Sequence, residues 1–259
     1  LNNLKYEKGD ISIFQGNMTE ILDTFDEEMI DMVFADPPYF LSSGGITCSG
    51  GKMVSVDKGA WDKSLSFAEK HEYNKEWLLK CKRIMKPNAT IWISGTLHNI
   101  YSIGAALEET GFKILNNITW QKTNPPPNLG CRNFTHSTET IIWAKKDSKK
   151  SKHYFDYQLM KMYNNNKQMK DVWTGPLTPK REKKFGKHPT QKPLYLLERI
   201  IESSTKQGDL ILDPFLGSGT TGVAAKKLQR KFIGIEIEEA FIDIAKNRIE
   251  NTEEEPKLL

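Results

Sequence analysis

Apolar positions along this chain follow two rhythms. Short runs rich in β-branched and aromatic residues occupy 11–14, 31–35, 90–94, 114–120, 140–144, 210–213 and 232–236, a composition that predicts buried strands. Over 18–25, 67–85, 100–109, 194–204, 220–229 and 238–250 the apolar residues recur at spacings of three and four, as in helices that lay one face on a sheet. Seven strands alternating with helices predict an α/β fold with a mostly parallel sheet, because each parallel connection needs a crossover. One pair departs from the rule. No helical pattern separates 114–120 from 140–144, and their connection carries Pro125, Pro126 and Pro127, so this pair is predicted to be antiparallel, at a sheet edge.

Two stretches are poor in either rhythm: 41–63, rich in glycine and serine, and 145–187, rich in lysine and asparagine. Long irregular segments inside a compact domain are commonly functional, so both are candidate substrate-contacting segments. No repeat of 20–50 residues is visible, and 250–259 reads as a charged, frayed end.

At 259 residues the chain suits one domain, 1–259, with a small insertion. The formal charge of +4 permits a polyanionic partner without demanding one. Cys48, Cys81 and Cys131 are widely spaced and form no CxxC pair, which argues against a zinc site or a disulfide framework. No stretch approaches the roughly 18 uninterrupted apolar residues of a membrane helix, and no signal-peptide core opens the chain. The expectation is a soluble, cytoplasmic protein without a metal.

Chemistry enters with two motifs. Asp36-Pro37-Pro38-Tyr39 follows the buried strand 31–35. Two prolines cannot continue strand pairing, so the chain turns rigidly and holds Asp36 and Tyr39 in place. An ordinary loop is the bland alternative, since Asp and Pro are common turn formers. The second motif, Asp213-Pro214-Phe215-Leu216-Gly217-Ser218-Gly219-Thr220-Thr221-Gly222, also follows a strand and opens a helix. Its glycines allow close backbone approach to a ligand at a helix N-terminus. The spacing Gly217, Gly219, Gly222 also satisfies the dinucleotide fingerprint, with Glu236 placed to bind ribose. A methyl donor is favoured over a dinucleotide because Asp213 sets a carboxylate beside the loop, no hydride-transfer partner is evident, and Asp36 to Tyr39 gain a use. Ligands of open α/β sheets gather at strand carboxyl ends where the strand order reverses; if the two motif strands are neighbours there, both loops face one cleft.

One chemistry that needs such a turn is methylation of an exocyclic amine of adenine or cytosine, a poor nucleophile whose lone pair is delocalised into the ring. Acceptors for both N–H groups, Asp36 and the Pro37 carbonyl, would stabilise the developing tetrahedral nitrogen. Tyr39 would offer an aromatic face to the base, which must be flipped from a duplex at a cost of roughly a few kcal/mol. Further polar groups, Lys122, Asn124, Asn128, Arg132 and His136, lie on or beside the proline-stiffened segment 121–137 and suit phosphate or base contacts; a solvated edge connection is the alternative. Lys145, Lys146, Lys149, Lys150, Lys152, Lys180, Arg181, Lys183, Lys184 and Lys187 cluster near Tyr154, Tyr157 and Trp173, a mixture suited to nucleic-acid backbone or to a merely solvated surface. Trp61, Asp62 and Lys63 close the glycine-rich loop, which could fold over a base. Trp77 and Trp92 read as core, and His71, His98 and His153 show no ligand spacing.

With these residues in hand the chain resembles the beta class of amino-directed DNA methyltransferases, in which the catalytic tetrapeptide precedes the glycine loop, as Asp36 to Tyr39 precede Gly217 to Gly219 here. The resemblance spans nearly the whole chain. It implies the S-adenosylmethionine-dependent methyltransferase fold in permuted order, with seven strands, one of them antiparallel, and a small target-recognition insertion. It implies that Asp213, Phe215, Gly217 and Gly219 contact S-adenosylmethionine, with Glu236 on the ribose. Asp36, Pro214, Ser218, Thr220 and Thr221 are counted with them. His188-Pro189-Thr190-Gln191-Lys192-Pro193 matches the family segment for the methionine end, implying contacts from Thr190, Gln191 and Lys192, the last pairing with the carboxylate. Where the family has Gly-Asp for the cofactor adenine, this chain has Gly16-Asn17; an Asn oxygen can still accept from the amino group.

Within that class the chain is similar to the second methyltransferases of DpnII-like restriction-modification systems, through Phe40-Leu41-Ser42-Ser43-Gly44-Gly45-Ile46, Val54-Ser55-Val56-Asp57-Lys58-Gly59 and Asn116-Asn117-Ile118-Thr119-Trp120-Gln121-Lys122. This likeness implies N6-adenine methylation within GATC. Duplex DNA is the expected substrate, with single-stranded DNA as a second candidate, a homodimer as a candidate assembly and a cognate restriction endonuclease as a partner system. Asp36 leans toward adenine, since the family's cytosine-N4 enzymes more often carry serine there. Cytosine N4 methylation and a catalytically silent DNA-binding module are the alternatives.

Overall fold

Alternation of side chains along single strands sets the two layers of the molecule. The computed structural model describes residues 3–40, 65–146 and 152–255, and the backbone of 46–49 and 52–55. In β3 (Ile30–Ala35), Val33 and Ala35 join one apolar cluster while Met32 and Phe34 join the other. Such period-two burial on both faces belongs to a central sheet covered on each side. Helices α1 (Met18–Asp23), α2 (Phe67–Ile84) and α3 (Ile100–Glu109) supply the first cluster. Helices α5 (Leu194–Ser204), α6 (Thr220–Lys227) and α7 (Glu239–Glu250) supply the second.

All seven predicted strands are present: β2 (Ile11–Gln15), β3, β6 (Met85–Gly95), β7 (Lys113–Lys122), β8 (Thr138–Lys145), β10 (Leu210–Asp213) and β11 (Lys231–Glu236). Among the described residues the sheet nevertheless has nine strands, not seven, because β1 (Leu4–Lys8) and β9 (Val172–Gly175) add one at each edge, in the order β1-β2-β11-β10-β3-β6-β8-β7-β9. Both additions escape a hydrophobic-pattern reading for a physical reason. β1 buries Tyr6 alone and turns charged residues to solvent, as edge strands do to discourage further pairing. β9 is four residues long inside a lysine-rich stretch. Among the seven, β8 is the reversed strand, antiparallel to both β6 and β7. The pair predicted at the edge therefore sits one strand in, since β9 pairs parallel with β7 beyond it. Within the stretch 41–63 a two-stranded hairpin, β4 (Ile46–Ser49) and β5 (Lys52–Ser55), is formed; Trp61, Asp62 and Lys63 lie outside the described residues. The lysine-rich stretch also carries α4 (Tyr157–Tyr163).

The positioning of the site follows from one junction. β3 and β10 pair directly and in parallel, Ile211 beside Met32 and Leu212 beside Val33. From β10 the chain crosses through α6 to β11 on one side, and from β3 through α2 to β6 on the other. The strand order thus reverses between the two motif strands, the place where open α/β sheets collect ligands. Among the described residues no helix is long and apolar enough to cross a membrane.

Trp77 links this core to the glycine loop. It is fully buried in α2, donates to Asn74 Oδ1 at 3.2 Å, and meets the Phe215 ring edge-on at 5.5 Å. Trp77→Ala is expected to cost about 3–5 kcal/mol of unfolding free energy in a urea titration, the range for truncating a buried large aromatic; a loss below about 1 kcal/mol would show that α2 does not depend on it.

Candidate active site

Each parallel strand delivers its functional residue at its carboxyl end, and the reversed strand β8 delivers one at its start, so these residues share one edge of the sheet. β3 runs into Asp36, β10 ends on Asp213, β11 on Glu236 and β7 on Lys122, while Glu139 is the second residue of β8. A single cleft at the centre of this edge is lined by Asp36, Pro37, Pro38 and Tyr39 on one side and by Asp213 to Ser218, Thr220, Thr221 and Glu236 on the other. Asn17, Thr190, Gln191 and Lys192 also stand in its wall, and of the predicted cofactor-contacting residues Gly219 alone does not.

The turn after β3 is held from several directions. Tyr39 Oη donates to Asp36 Oδ1 at 2.7 Å, and Lys192 Nζ donates to Asp36 Oδ2 at 2.6 Å and to Tyr39 Oη at 2.8 Å. Asn99 Nδ2 donates to the Pro38 carbonyl at 3.0 Å, and buried Asn74 in turn donates to Asn99 Oδ1. Just past Tyr39, Phe40 takes a positive φ of 55°, a strained state for an aromatic residue that surrounding contacts must enforce; its ring meets Tyr73 edge-on at 5.7 Å. Burial raises the Asp36 carboxyl above the usual carboxylate range, and the adjacent Lys192 ammonium opposes that rise. Lys192 remains an ammonium: burial alone would depress it, but Asp36, Tyr39 and Glu139 more than reverse this.

The glycine loop is braced from beneath. Asp213 accepts from Phe215 N at 3.0 Å and from Thr221 Oγ1 at 2.6 Å. Burial pushes its carboxyl up to about 7, with Asp36 and Glu236 adding to the rise against those two hydrogen bonds. Glu236 accepts from Gly217 N at 2.7 Å and from the amides of Ile237 and Glu238. Gly217 and Gly219 have φ of 51° and 77°, the left-handed region that glycine enters without penalty. A Cβ on Gly217 would come within 3.2 Å of the His188 ring, and one on Gly219 within 2.6 Å of Ala245 Cβ. Gly217 thus leaves backbone bare inside the cleft, whereas Gly219 lies outside the cleft wall and serves close packing on α7. Arg248 of α7 donates to Ser218 O and Oγ and to Thr220 Oγ1.

Several sequence expectations land differently. Lys192, expected to meet a carboxylate of the ligand, is spent on Asp36 and Tyr39. Asn17 lines the cleft, but its Oδ1 already accepts from Thr19 N and Oγ1 as the α1 N-cap. Lys122, expected on DNA, forms an ion pair with Glu139 at 2.7 Å and is largely buried. Asn124 Oδ1 accepts from Leu177 N, and Asn128 bonds Asn133 O and Gly130 N within its own loop. Arg132 and His136 stand exposed on that loop. Of the basic stretch, Lys145 and Trp173 are buried, Trp173 against Trp92 and beneath Arg199. Lys180, Arg181, Lys184 and Lys187 are exposed on the segment leading into His188.

Residues that pattern reasoning passed over also line the cleft: Tyr73, His188 and Phe241. His188 packs edge-on against Phe241 at 4.4 Å. It opens the segment His188 to Pro193, so the sequence carries a signal for it, whereas Tyr73 and Phe241 look like ordinary apolar-face positions of helices.

Comparison with known proteins agrees with this geometry. The family model for a DNA methylase of the N6/N4 methyltransferase type matches residues 30–247. The chain is 64% identical over 245 residues to the Type II methyltransferase M2.DpnII of Streptococcus pneumoniae, covering 95% of this chain and 91% of that protein. It is 54% identical over 237 residues to M2.MboI of Moraxella bovis, covering 92% and 86%. Among solved structures it is similar to an M1.HpyAVI complex with S-adenosylmethionine, at 31% identity and a TM-score of 0.69, covering 92% of this chain and 98% of the other. The fold is shared with the cytosine-N4-specific PvuII methyltransferase at 20% identity and a TM-score of 0.75, covering 95% and 88%.

The buried Asp213 carboxyl has a consequence for stability. Its folded pKa of about 7 lies above the 3.8 of a free aspartate carboxyl, so its contribution to stability is complete below about pH 4 and is lost as pH rises through about 7. Asp213→Asn keeps an acceptor for Phe215 N and removes the titration. Between pH 5 and 8 the wild type is expected to lose up to about 3 kcal/mol more unfolding free energy than the variant. Parallel pH profiles from urea unfolding would refute the assignment.

Proposed function

The chain belongs to the DNA methylase family of N6/N4 methyltransferases, and from that premise we propose that it methylates N6 of adenine in DNA, within GATC, with S-adenosylmethionine as donor. The observation that carries this reading is the meeting of Asp36-Pro37-Pro38-Tyr39 with the glycine loop in one cleft. The restriction-modification setting follows from the relatives' description as Type II methyltransferases.

The residues fit the donor. Three carboxylates, Asp36, Asp213 and Glu236, line the cleft, a donor set suited to a ligand that carries a sulfonium and an ammonium. Phe215 and the bare backbone at Gly217, together with Pro214, Ser218, Thr220 and Thr221, would hold its adenosyl part, with Glu236 toward the ribose and Asn17 beside the adenine. Thr190 and Gln191 would hold its methionine end; Gln191 Oε1 is a buried acceptor without a partner among the described residues. Bound there, S-adenosylmethionine supplies an electrophilic methyl group. No metal has a part in this reading.

The chain's own residues act on the amine. Asp36 keeps lone pairs beyond those used by Tyr39 and Lys192 and would accept one N–H of the target amine, with the Pro37 carbonyl accepting the other. These preorganised acceptors favour the nitrogen as its lone pair is drawn toward carbon. The Tyr39 ring, fixed through its hydroxyl, would support the flipped base. Asp36, rather than serine, favours adenine over cytosine.

The exposed Arg132 and His136, with Asn124, Asn128 and the basic run before His188, would contact DNA. Duplex DNA is the main substrate, single-stranded DNA a second one, a homodimer the assembly, and a cognate restriction endonuclease shares the cytoplasm with it.

Radiolabelled methyl transfer to duplex and single-stranded oligonucleotides with and without GATC, followed by nucleoside analysis, tests this. Label is expected in N6-methyladenine confined to GATC. Label in N4-methylcytosine would move the target, and no label despite donor binding would replace an enzyme with a binding module. Asp36→Asn is expected to lower kcat roughly 100-fold or more while donor affinity stays within a few-fold; full turnover would overturn the role of Asp36.

A further inference from the structure

Four charges, two of each sign, form a largely buried cluster that runs from the cleft wall to the residues behind the catalytic turn. Lys192 Nζ lies 2.6 Å from Asp36 Oδ2 and 3.5 Å from Glu139 Oε2, and Lys122 Nζ lies 2.7 Å from Glu139 Oε1. The side chains are 6, 14, 12 and 11% exposed for Lys192, Asp36, Glu139 and Lys122. Two anions and two cations leave no net charge, and a buried group of this kind persists only when every member is compensated. Lys122 and Glu139 are also the last residue of β7 and the second of β8, so their ion pair clasps the two roots of the loop 123–137, which carries Arg132 and His136.

We infer that Glu139 is a positioning residue for the methylation step: with Lys122 it holds the Lys192 ammonium against Asp36 and Tyr39, and it ties the roots of the 123–137 loop to the catalytic turn. This rests on Asp36 acting on the amine as proposed above. Glu139 does not line the cleft and acts through Lys192. Its Oε2 has no hydrogen-bond partner among the described residues and faces Lys192 at ion-pair distance only, so its influence on Lys192 and Asp36 is chiefly electrostatic. The groups acting on Asp36 are Lys192 before α5, Tyr39 in its own turn and Glu139 of β8, with Lys122 of β7 behind Glu139 and Asp213 of β10 across the cleft.

The sign of each charge gives the test. The Glu139 charge raises the Asp36 carboxyl, so Glu139→Gln makes Asp36 a weaker base. The acid limb of the kcat profile, which reports the essential base in the substrate complex, is expected to move to lower pH and kcat to fall severalfold as Asp36 becomes less basic. Donor affinity stays within twofold. Lys122→Met removes the cation opposing Glu139 and is expected to move the limb the other way. Glu139→Asp, which keeps the charge, leaves the limb where it is in the wild type. Thermal melts accompany each variant, and if Glu139→Gln does not fold, Lys122→Met carries the decision. A lower kcat with an unmoved limb in the folded variants would reduce Glu139 to a structural role and overturn the inference. If Asp36→Asn is inactive while both charge variants match the wild type, the inference fails and the function stands; if Asp36→Asn is fully active, the proposed role of Asp36 fails first.

Discussion

The parallel pairing of β3 with β10 is the constraint on which the rest of the molecule depends. Residues 36 and 213 are 177 positions apart in the chain, yet the register Ile211 to Met32 and Leu212 to Val33 brings both strand ends to one edge. Because the crossovers leave this pair in opposite directions, neither crossover helix closes the space above it. The cleft is therefore a product of topology, and the rigid Asp-Pro-Pro turn and the glycine loop need only meet there.

That placement brings three largely buried carboxylates to one cleft, and each is compensated differently. Asp36 is matched by an ammonium, Glu236 by three backbone amides, and Asp213 by one amide and one hydroxyl. The least compensated of them, Asp213, carries its pKa to about 7, the response of a carboxyl that can shed its charge more cheaply than it can bury it. The site thus holds a poised acid beneath the glycine loop and a charge-balanced one at the turn. The balance at the turn extends through Lys192 and Glu139 to Lys122, at the root of the loop that bears the exposed Arg132 and His136.

Much of this was legible in the chain. Strands buried on both faces, such as β3 and β6, write continuous apolar runs, and helices such as α3 and α5 write spacings of three and four whose ends matched the structure. The two motifs were legible because prolines and glycines at fixed spacing restrict the backbone locally, wherever the segment ends up. β1 and β9 were not, since an edge strand with one buried residue carries almost no pattern.

What the sequence determined by itself was the seven inner strands of the sheet, the six helices that cover it, the two loops and the chemistry their residues can support. Only the tertiary structure decided how polar side chains are paired. Lys192 is paired with Asp36, Lys122 with Glu139, the Asn17 oxygen caps α1, and Gly219 packs on α7 outside the cleft wall. The physical reason is that backbone restriction is a local property of residue type, whereas a charged side chain that is buried takes whichever opposite charge the fold brings within reach, and that partner can lie more than 150 residues away, as Asp36 does from Lys192.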